Sequence, residues 1–265
     1  MTTVPFEPRR FHTTAAYYSR FRIPYPDALI ERVTVRTGLR PGDRLLDLGC
    51  GPGQIGIAFA RLAGADVTGL DPEPEMLDAA REGAAAAGIH AEFVLGSSYD
   101  LGPAFGPLKI TTMGRSFHWM DRAATLATLD RLTEPEGAVI LFGDRHISAS
   151  PAWRDVLEKV SERFSPEPIR TERQLRRGPD WIKHEEFLLR SAFLNLERIG
   201  IVTERLLDAD EIVGRAFSMS VTSPQALGDS TAEFEQALRS ELAALSPDGK
   251  FTEIIEANAL IASRD

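Results

Sequence analysis

The segment Asp47-Leu48-Gly49-Cys50-Gly51-Pro52-Gly53 sets three alternating glycines behind a carboxylate. Glycine there permits positive φ and lets a ligand touch the backbone. Two phosphate cradles share the glycine richness. Counted from Gly49, a dinucleotide fingerprint would need glycine at position 54, where Gln54 stands, and a Walker loop needs a Gly-Lys-Ser/Thr ending. Asp47 would repel a phosphate. It suits a ligand that carries ammonium and sulfonium charges. Asp71 follows Gly51 at the spacing, about 20 residues, of an acid that accepts from both ribose hydroxyls. The same residue can also cap the helix that follows it. His118, between Phe117 and Trp119, is the best general-base candidate, because imidazole titrates near neutrality. The turn Phe117-His118-Trp119 can equally serve to pack a loop, and its rings can hold an amine or a flat ring system. His146 is placed to line the pocket, whereas His12 and His184 are weaker candidates. His184, beside Glu185, is expected on a solvated face. No histidine pair has metal-ligand spacing, so no metal is expected. Cys50 is expected to be a small buried residue rather than a nucleophile.

Alternating elements must position these residues. Leu45 to Leu48 reads as a buried strand, 54–62 as an amphipathic helix, 66–70 as a second strand and 74–87 as a helix ended by Gly88. Strands follow at 92–95, 108–113 and 138–142, with a helix at 123–132 and a loop at 133–137. Consecutive parallel strands need helical crossovers. The pattern therefore predicts an α/β fold with a doubly wound, mostly parallel sheet whose ligand site lies at the carboxyl ends of the strands. Beyond Asp144 the pattern predicts helices at 151–164, 184–191, 208–219 and 231–245, and strands at 196–205 and 251–262. Residues 165–179 read as a loop, because Pro166, Pro168 and Pro179 act as breakers.

At these residues the chain resembles the class I S-adenosylmethionine-dependent methyltransferases, in the methyltransferase type 11 group related to the ubiquinone-biosynthesis enzymes. Leu45 to Gly53 resembles motif I, and Val67 to Asp71 with Met76-Leu77 resembles motif II. Gly114 to Trp119 is similar to the segment after strand four, and Glu136 to Val139 to the turn into strand five. Tyr17-Tyr18-Ser19-Arg20-Phe21-Arg22-Ile23-Pro24-Tyr25-Pro26 resembles the family's N-terminal Tyr…Arg-Pro-x-Tyr-Pro element, with Ile23 in place of the first proline. The resemblance implies a seven-stranded, Rossmann-like methyltransferase fold and S-adenosyl-L-methionine as cofactor. It implies a cofactor site of Asp47, Gly49, Gly51, Gly53, Asp71, Pro72, Met76 and Gly114, closed by Tyr17, Tyr18 and Arg22. Pro72 and Met76 are expected to flank the adenine and Arg22 to face the carboxylate of the methionine moiety. The family's acid after strand three is absent from Gly96-Ser97-Ser98-Tyr99-Asp100. Ser97 and Ser98 are the expected substitutes, with Asp100 reaching back as the alternative. Lys109 replaces the family's usual acid early in strand four. Phe117, Trp119 and His146 are expected around the substrate.

The resulting division is an N-terminal lid over 1–38, a cofactor-binding core over 39–144, a helical cap over 145–192 and the remainder of the core sheet, with added helices, over 193–265. A net charge of −9 disfavours nucleic acid as partner. The densest basic stretch, Arg170, Arg173, Arg176 and Arg177, is read as a solvated edge or, alternatively, a mouth for an anionic substrate. No apolar run approaches the roughly 18 residues of a membrane span, and residues 1–10 lack the apolar core of a secretory signal. One cysteine excludes an internal disulfide and fits a reducing cytoplasm. The sequence thus points to a monomer or homodimer that methylates a small molecule at O, N or C. In that reaction, positioning supplies about 7–11 kcal/mol. Two other classes share the pattern: an enzyme of this fold catalysing a non-methylating step such as cyclisation, and a cofactor-binding protein without turnover.

Overall fold

The computed structural model describes residues 15–147 and 151–264. His12 and the start of the expected lid lie outside them. Helices α1 (Ala15–Phe21) and α2 (Asp27–Thr37) precede the sheet. Then come β1 (Arg44–Leu48), α3 (Gln54–Ala63), β2 (Asp66–Asp71), α4 (Pro74–Ala86), β3 (Glu92–Leu95), β4 (Leu108–Gly114), α5 (Arg122–Leu132) and β5 (Thr133–Ile147). The rest comprises α6 (Trp153–Phe164), α7 (Glu167–Arg177), α8 (His184–Leu189), β6 (Asn195–Leu207), α9 (Ala209–Phe217), α10 (Pro224–Leu227), α11 (Thr231–Leu245) and β7 (Phe251–Ser263).

The seven strands form one sheet in the order β3-β2-β1-β4-β5-β7-β6. The first five run parallel, and β7 lies antiparallel between β5 and β6. The order reverses between β1 and β4, which opens a crevice at their carboxyl ends. This is the expected Rossmann-like architecture. One face of the sheet packs Leu45, Val67, Ile110 and Ile140 against α2 and α3. The other packs Leu46, Leu48, Val139 and Leu260 against α5 and Leu188 of α8. A separate cluster joins Trp153 and Leu157 of α6, Ile212 and Phe217 of α9, and Phe234 and Leu238 of α11.

These contacts redraw the expected segments. Helix α2 is part of the sheet's covering layer rather than a lid, because Leu29, Ile30 and Val33 form a buried stripe. The cap's core is shared between 145–192 and 193–265, through α6, α9 and α11. Residues 167–177 are helical, not a loop. Pro166 is the N-cap and Pro168 lies in the first turn, where a missing amide proton costs nothing. The expected loop 133–137 is instead the bulged start of β5, where the register with β4 shifts between Leu108 and Ile110.

Candidate active site

A cavity of about 850 Å³ opens at the carboxyl ends of the parallel strands. The end of β1 and the loops after β1 to β4, with Phe142 to Asp144 of β5, form its floor, while α1, the first residue of α8 and residues 218–221 form its walls and roof. The glycine turn after β1 carries positive φ at Gly49 (68°) and Gly51 (54°). A side chain at Gly49 would strike Ser116 Cβ at 2.5 Å, whereas one at Gly51 would meet open space. Gly49 therefore permits the turn to pack on the β4 loop, and Gly51 leaves the cavity floor clear. Gly53 does not reach the wall. A Cβ there would meet Ala80, Ile57 and Phe93, so its role is close packing of α3 against α4.

Asp71 lies on the cavity wall at the end of β2. Its Oδ2 accepts from Gly51 N at 2.8 Å and its Oδ1 from Glu73 N at 3.0 Å. Burial pushes its carboxyl up to about 6, against the opposing pull of these two amides. Each oxygen retains lone-pair capacity for a further donor. Pro72 and Met76 add apolar wall beside it, and Ser97 and Ser98 line the same end. Asp100 folds back, accepting from Ser97 N at 2.8 Å and Ser97 Oγ at 2.9 Å. Both alternatives for the adenine end thus meet in one capped turn that lines the cavity. Asp47 is a correction. It is buried off this wall, where its carboxylate accepts from Gly56 N at 3.1 Å and Thr112 Oγ1 at 2.8 Å. Burial pushes that carboxyl up to about 6 as well. Its work is to tie α3 and β4 to β1.

The opposite end is cationic. Tyr18 and Arg22 of α1 and its exit line the cavity, with the Arg22 guanidinium 5.2 Å from the Tyr18 ring. Arg22 Nε is buried without a hydrogen-bond partner among the described residues. Burial lowers its pKa from the usual arginine value. Tyr17 points the other way and packs edge-on against Phe217 at 5.3 Å, because helix geometry separates neighbours by about 100°. Two residues absent from the sequence-based site adjoin Arg22. Arg115, held at φ 58°, donates from Nε to Asp144 Oδ1 at 2.6 Å and lies 4.7 Å from the Tyr25 ring. Positive φ on a non-glycine residue is strain of about 1–3 kcal/mol, which persists only where its surroundings enforce it. Burial works to raise the Asp144 carboxyl, but Arg115 outweighs it and holds the group below the usual carboxylate range.

The third region holds the candidate base. Gly114 lines the floor, and His118 and Trp119 line the wall from a single 3-10 turn, Phe117–Trp119. Phe117 turns inward instead and is 2% exposed. His184, expected on a solvated face, also lines the cavity, its ring 6.4 Å from that of His118 and inclined by only 19°. His146 is displaced from the substrate region. It lies behind Asp144, 3.6 Å from Asp144 Oδ2 and 3.6 Å from Glu253 Oε1, with Trp153 against its edge. Burial pushes its imidazole down to about 4. Cys50 is buried and its thiol is pushed up by burial, which makes it unreactive. Among the described residues no cluster of three or more metal-ligating side chains occurs, and no helix is long and apolar enough to cross a membrane.

Residues 45–137 match the family model of the methyltransferase domain. The chain is similar to a malonyl-[acyl-carrier protein] O-methyltransferase from Serratia marcescens, 37% identical over 113 residues that make up 42% of each protein. It is also similar to a 23S rRNA (uracil(1939)-C(5))-methyltransferase from a Shewanella species, 50% identical over 50 residues, or 19% of this chain and 11% of that one. The chain spans under half the length of the curated relatives it matches. Among solved structures, a SAM-dependent methyltransferase from Thiobacillus denitrificans in complex with S-adenosyl-L-homocysteine has a TM-score of 0.57 at 18% identity. That likeness spans 99% of this chain and 100% of that one, and establishes a shared fold.

Proposed function

We propose that this chain, whose residues 45–137 match the methyltransferase domain model, is a class I S-adenosylmethionine-dependent methyltransferase that transfers a methyl group to a small molecule. The carrying observation is the polarity of the cavity. A buried carboxylate, Asp71, stands at one end, and the half-buried Arg22, whose Nε is buried and unpartnered among the described residues, stands beside Arg115 and Asp144 at the other. These residues fit a ligand with a ribose at one end and a carboxylate at the other. Asp71 would hold the ribose hydroxyls, Pro72 and Met76 the adenine faces, Ser97 and Ser98 the adenine edge, and Arg22 with Tyr18 the amino-acid carboxylate. The open approach over Gly51 leaves room for the backbone to meet the ligand. When bound, S-adenosylmethionine supplies an electrophilic methyl group on a sulfonium.

The remaining wall then belongs to the acceptor. Trp119 and Met219 present apolar surface to it, and His118 stands where an acceptor hydroxyl or acidic carbon would shed its proton. The cavity of about 850 Å³ walled by α1, the start of α8 and residues 218–221 suits a compact acceptor, which supports a metabolite over a polynucleotide. The net charge of −9 supports the same choice. A lone buried thiol is compatible with a reducing cytoplasm, and we place the protein there as a monomer or homodimer. Calorimetry with S-adenosylmethionine and S-adenosylhomocysteine, followed by mass spectrometry of a metabolite extract incubated with the loaded protein, tests this reading. We expect stoichiometric binding and a product heavier by one methyl. Absence of binding would overturn the cofactor assignment. Binding without any methylated product would favour a cofactor-binding protein, and an altered but unmethylated product a non-methylating enzyme.

A further inference from the structure

The acceptor end of the cavity contains an imidazole whose protonation is fixed by its neighbours. His184 opens α8, and its Nδ1 lies 3.1 Å from a guanidinium nitrogen of Arg122. A guanidinium only donates, so Nδ1 must accept, and the neutral ring carries its proton on Nε2. Arg122 is itself immobilised. The same nitrogen donates to the Ile182 carbonyl at 2.8 Å, and the guanidinium carbon lies 4.0 Å from the Phe187 ring centre and 4.5 Å from that of Trp181. It cannot follow the imidazole into another orientation without leaving this box. Burial, and secondarily Arg122, push the imidazole down to about 4. The ring therefore keeps one form throughout the neutral range.

With Nδ1 taken up by Arg122, Nε2–H is the polar atom His184 has left to offer, and the ring lines the cavity. It faces His118 across a small interval, the two rings nearly parallel, one on the core turn and one on the cap. We infer that His184 is the specificity-determining hydrogen-bond donor of the acceptor pocket, and that the pocket selects an oxygen acceptor on a flat conjugated ring, a phenol or enol, over the corresponding amine. This rests on the methyltransferase reading and names its substrate class. A phenolic oxygen has two lone pairs and one proton. It can accept from His184 Nε2–H while its own proton faces His118. An aryl amine presents two N–H donors and a delocalised, poorly accepting lone pair. Against a fixed N–H it leaves a donor unpaired in a confined space, which a site built for oxygen penalises strongly. Trp119 beside His118, ring centres 4.6 Å apart, adds an aromatic surface for a flat ring.

The test uses the full chain loaded with S-adenosylhomocysteine and a matched pair of probes, catechol and ortho-phenylenediamine. Calorimetry should show catechol bound at least about tenfold more tightly, a ratio equivalent to one lost hydrogen bond. His184→Phe should erase the preference while S-adenosylhomocysteine still binds. His184→Gln should retain it, because a carboxamide both accepts from Arg122 and donates onward. Long-range proton–nitrogen correlation spectra of the wild type should place the His184 proton on Nε2. Equal or tighter binding of the diamine, binding of neither probe, a preference that survives in His184→Phe, or a proton on Nδ1 would each overturn the inference. Failure of the wild type to bind S-adenosylhomocysteine would instead refute the methyltransferase reading itself.

Discussion

The amide of Gly51 donates to Asp71 Oδ2 at 2.8 Å, so the acid at the end of β2 clamps the glycine turn that follows β1. One carboxylate thus shapes the cavity floor and stays available to a ligand. Replacing it removes both functions. Asp71→Ala should weaken S-adenosylhomocysteine binding by about 2–4 kcal/mol, as charged hydrogen bonds are lost and the Gly51 turn is released. Calorimetry is the measurement. A loss below threefold would mean that Asp71 serves the turn alone.

The same carboxyl gives the affinity a pH dependence of defined sign. Burial has pushed it up to about 6. Donating hydroxyls favour the ionised form, so binding should be level above that value and weaken as the pH falls below it. The slope should approach a factor of ten per unit. Asp71→Asn should flatten the profile. Asp47 shares the raised value but lies off the cavity wall, so Asp47→Asn should leave the slope in place. An affinity that stays constant from about pH 5 to 8 would contradict the ionised role.

Much of the cofactor end was legible because its residues are close in sequence. The Asp47 to Gly53 turn and Asp71 announce themselves by spacing, and Met76 enters through the family resemblance. Asp47 misled because its charge was read toward the ligand, when only the folded chain reveals Gly56 and Thr112 as its partners. Tyr17 and Phe117 each lie beside a cavity residue, and the local turn of the helix sends them the other way. The rest of the site was hidden because it is assembled from distant segments. Arg115 and Asp144 pair across 29 positions, and His118 meets His184 across 66. His184 did leave a signal. Phe187 and Leu188 follow it by three and four residues, which places all three on one apolar helix face rather than a solvated one.

Helix α1 is held at the cavity by its packing on α9 and, less extensively, on α4. A Cβ at Gly214 would stand 2.4 Å from the Phe21 ring, so α1 and α9 touch with no room to spare. Gly214→Ala should displace α1 and, with it, Tyr18 and Arg22. Overpacking of this kind costs about 1–3 kcal/mol. We expect a modest fall in thermal stability, a clear loss of S-adenosylhomocysteine affinity and faster amide exchange in residues 15–22. Unchanged affinity would show that α1 does not complete the cofactor site.

His118 carries the last expectation. Its ring lines the cavity at the carboxyl end of β4 and faces a second imidazole whose form is fixed. Of the two, only His118 is suited to take a proton, since Arg122 and burial keep His184 as a neutral donor. With the true acceptor in hand, His118→Ala should lower kcat by about 10²–10⁴-fold while S-adenosylmethionine affinity stays nearly constant. His118→Asn discriminates chemistry from shape. It preserves hydrogen-bonding capacity and similar bulk but cannot act as a base near neutrality. A deficit in kcat equal to that of the alanine variant marks a base. Near-normal turnover, with the alanine loss appearing mainly in KM, would remove His118 from proton transfer and leave positioning by Trp119 and the cap as the source of the rate.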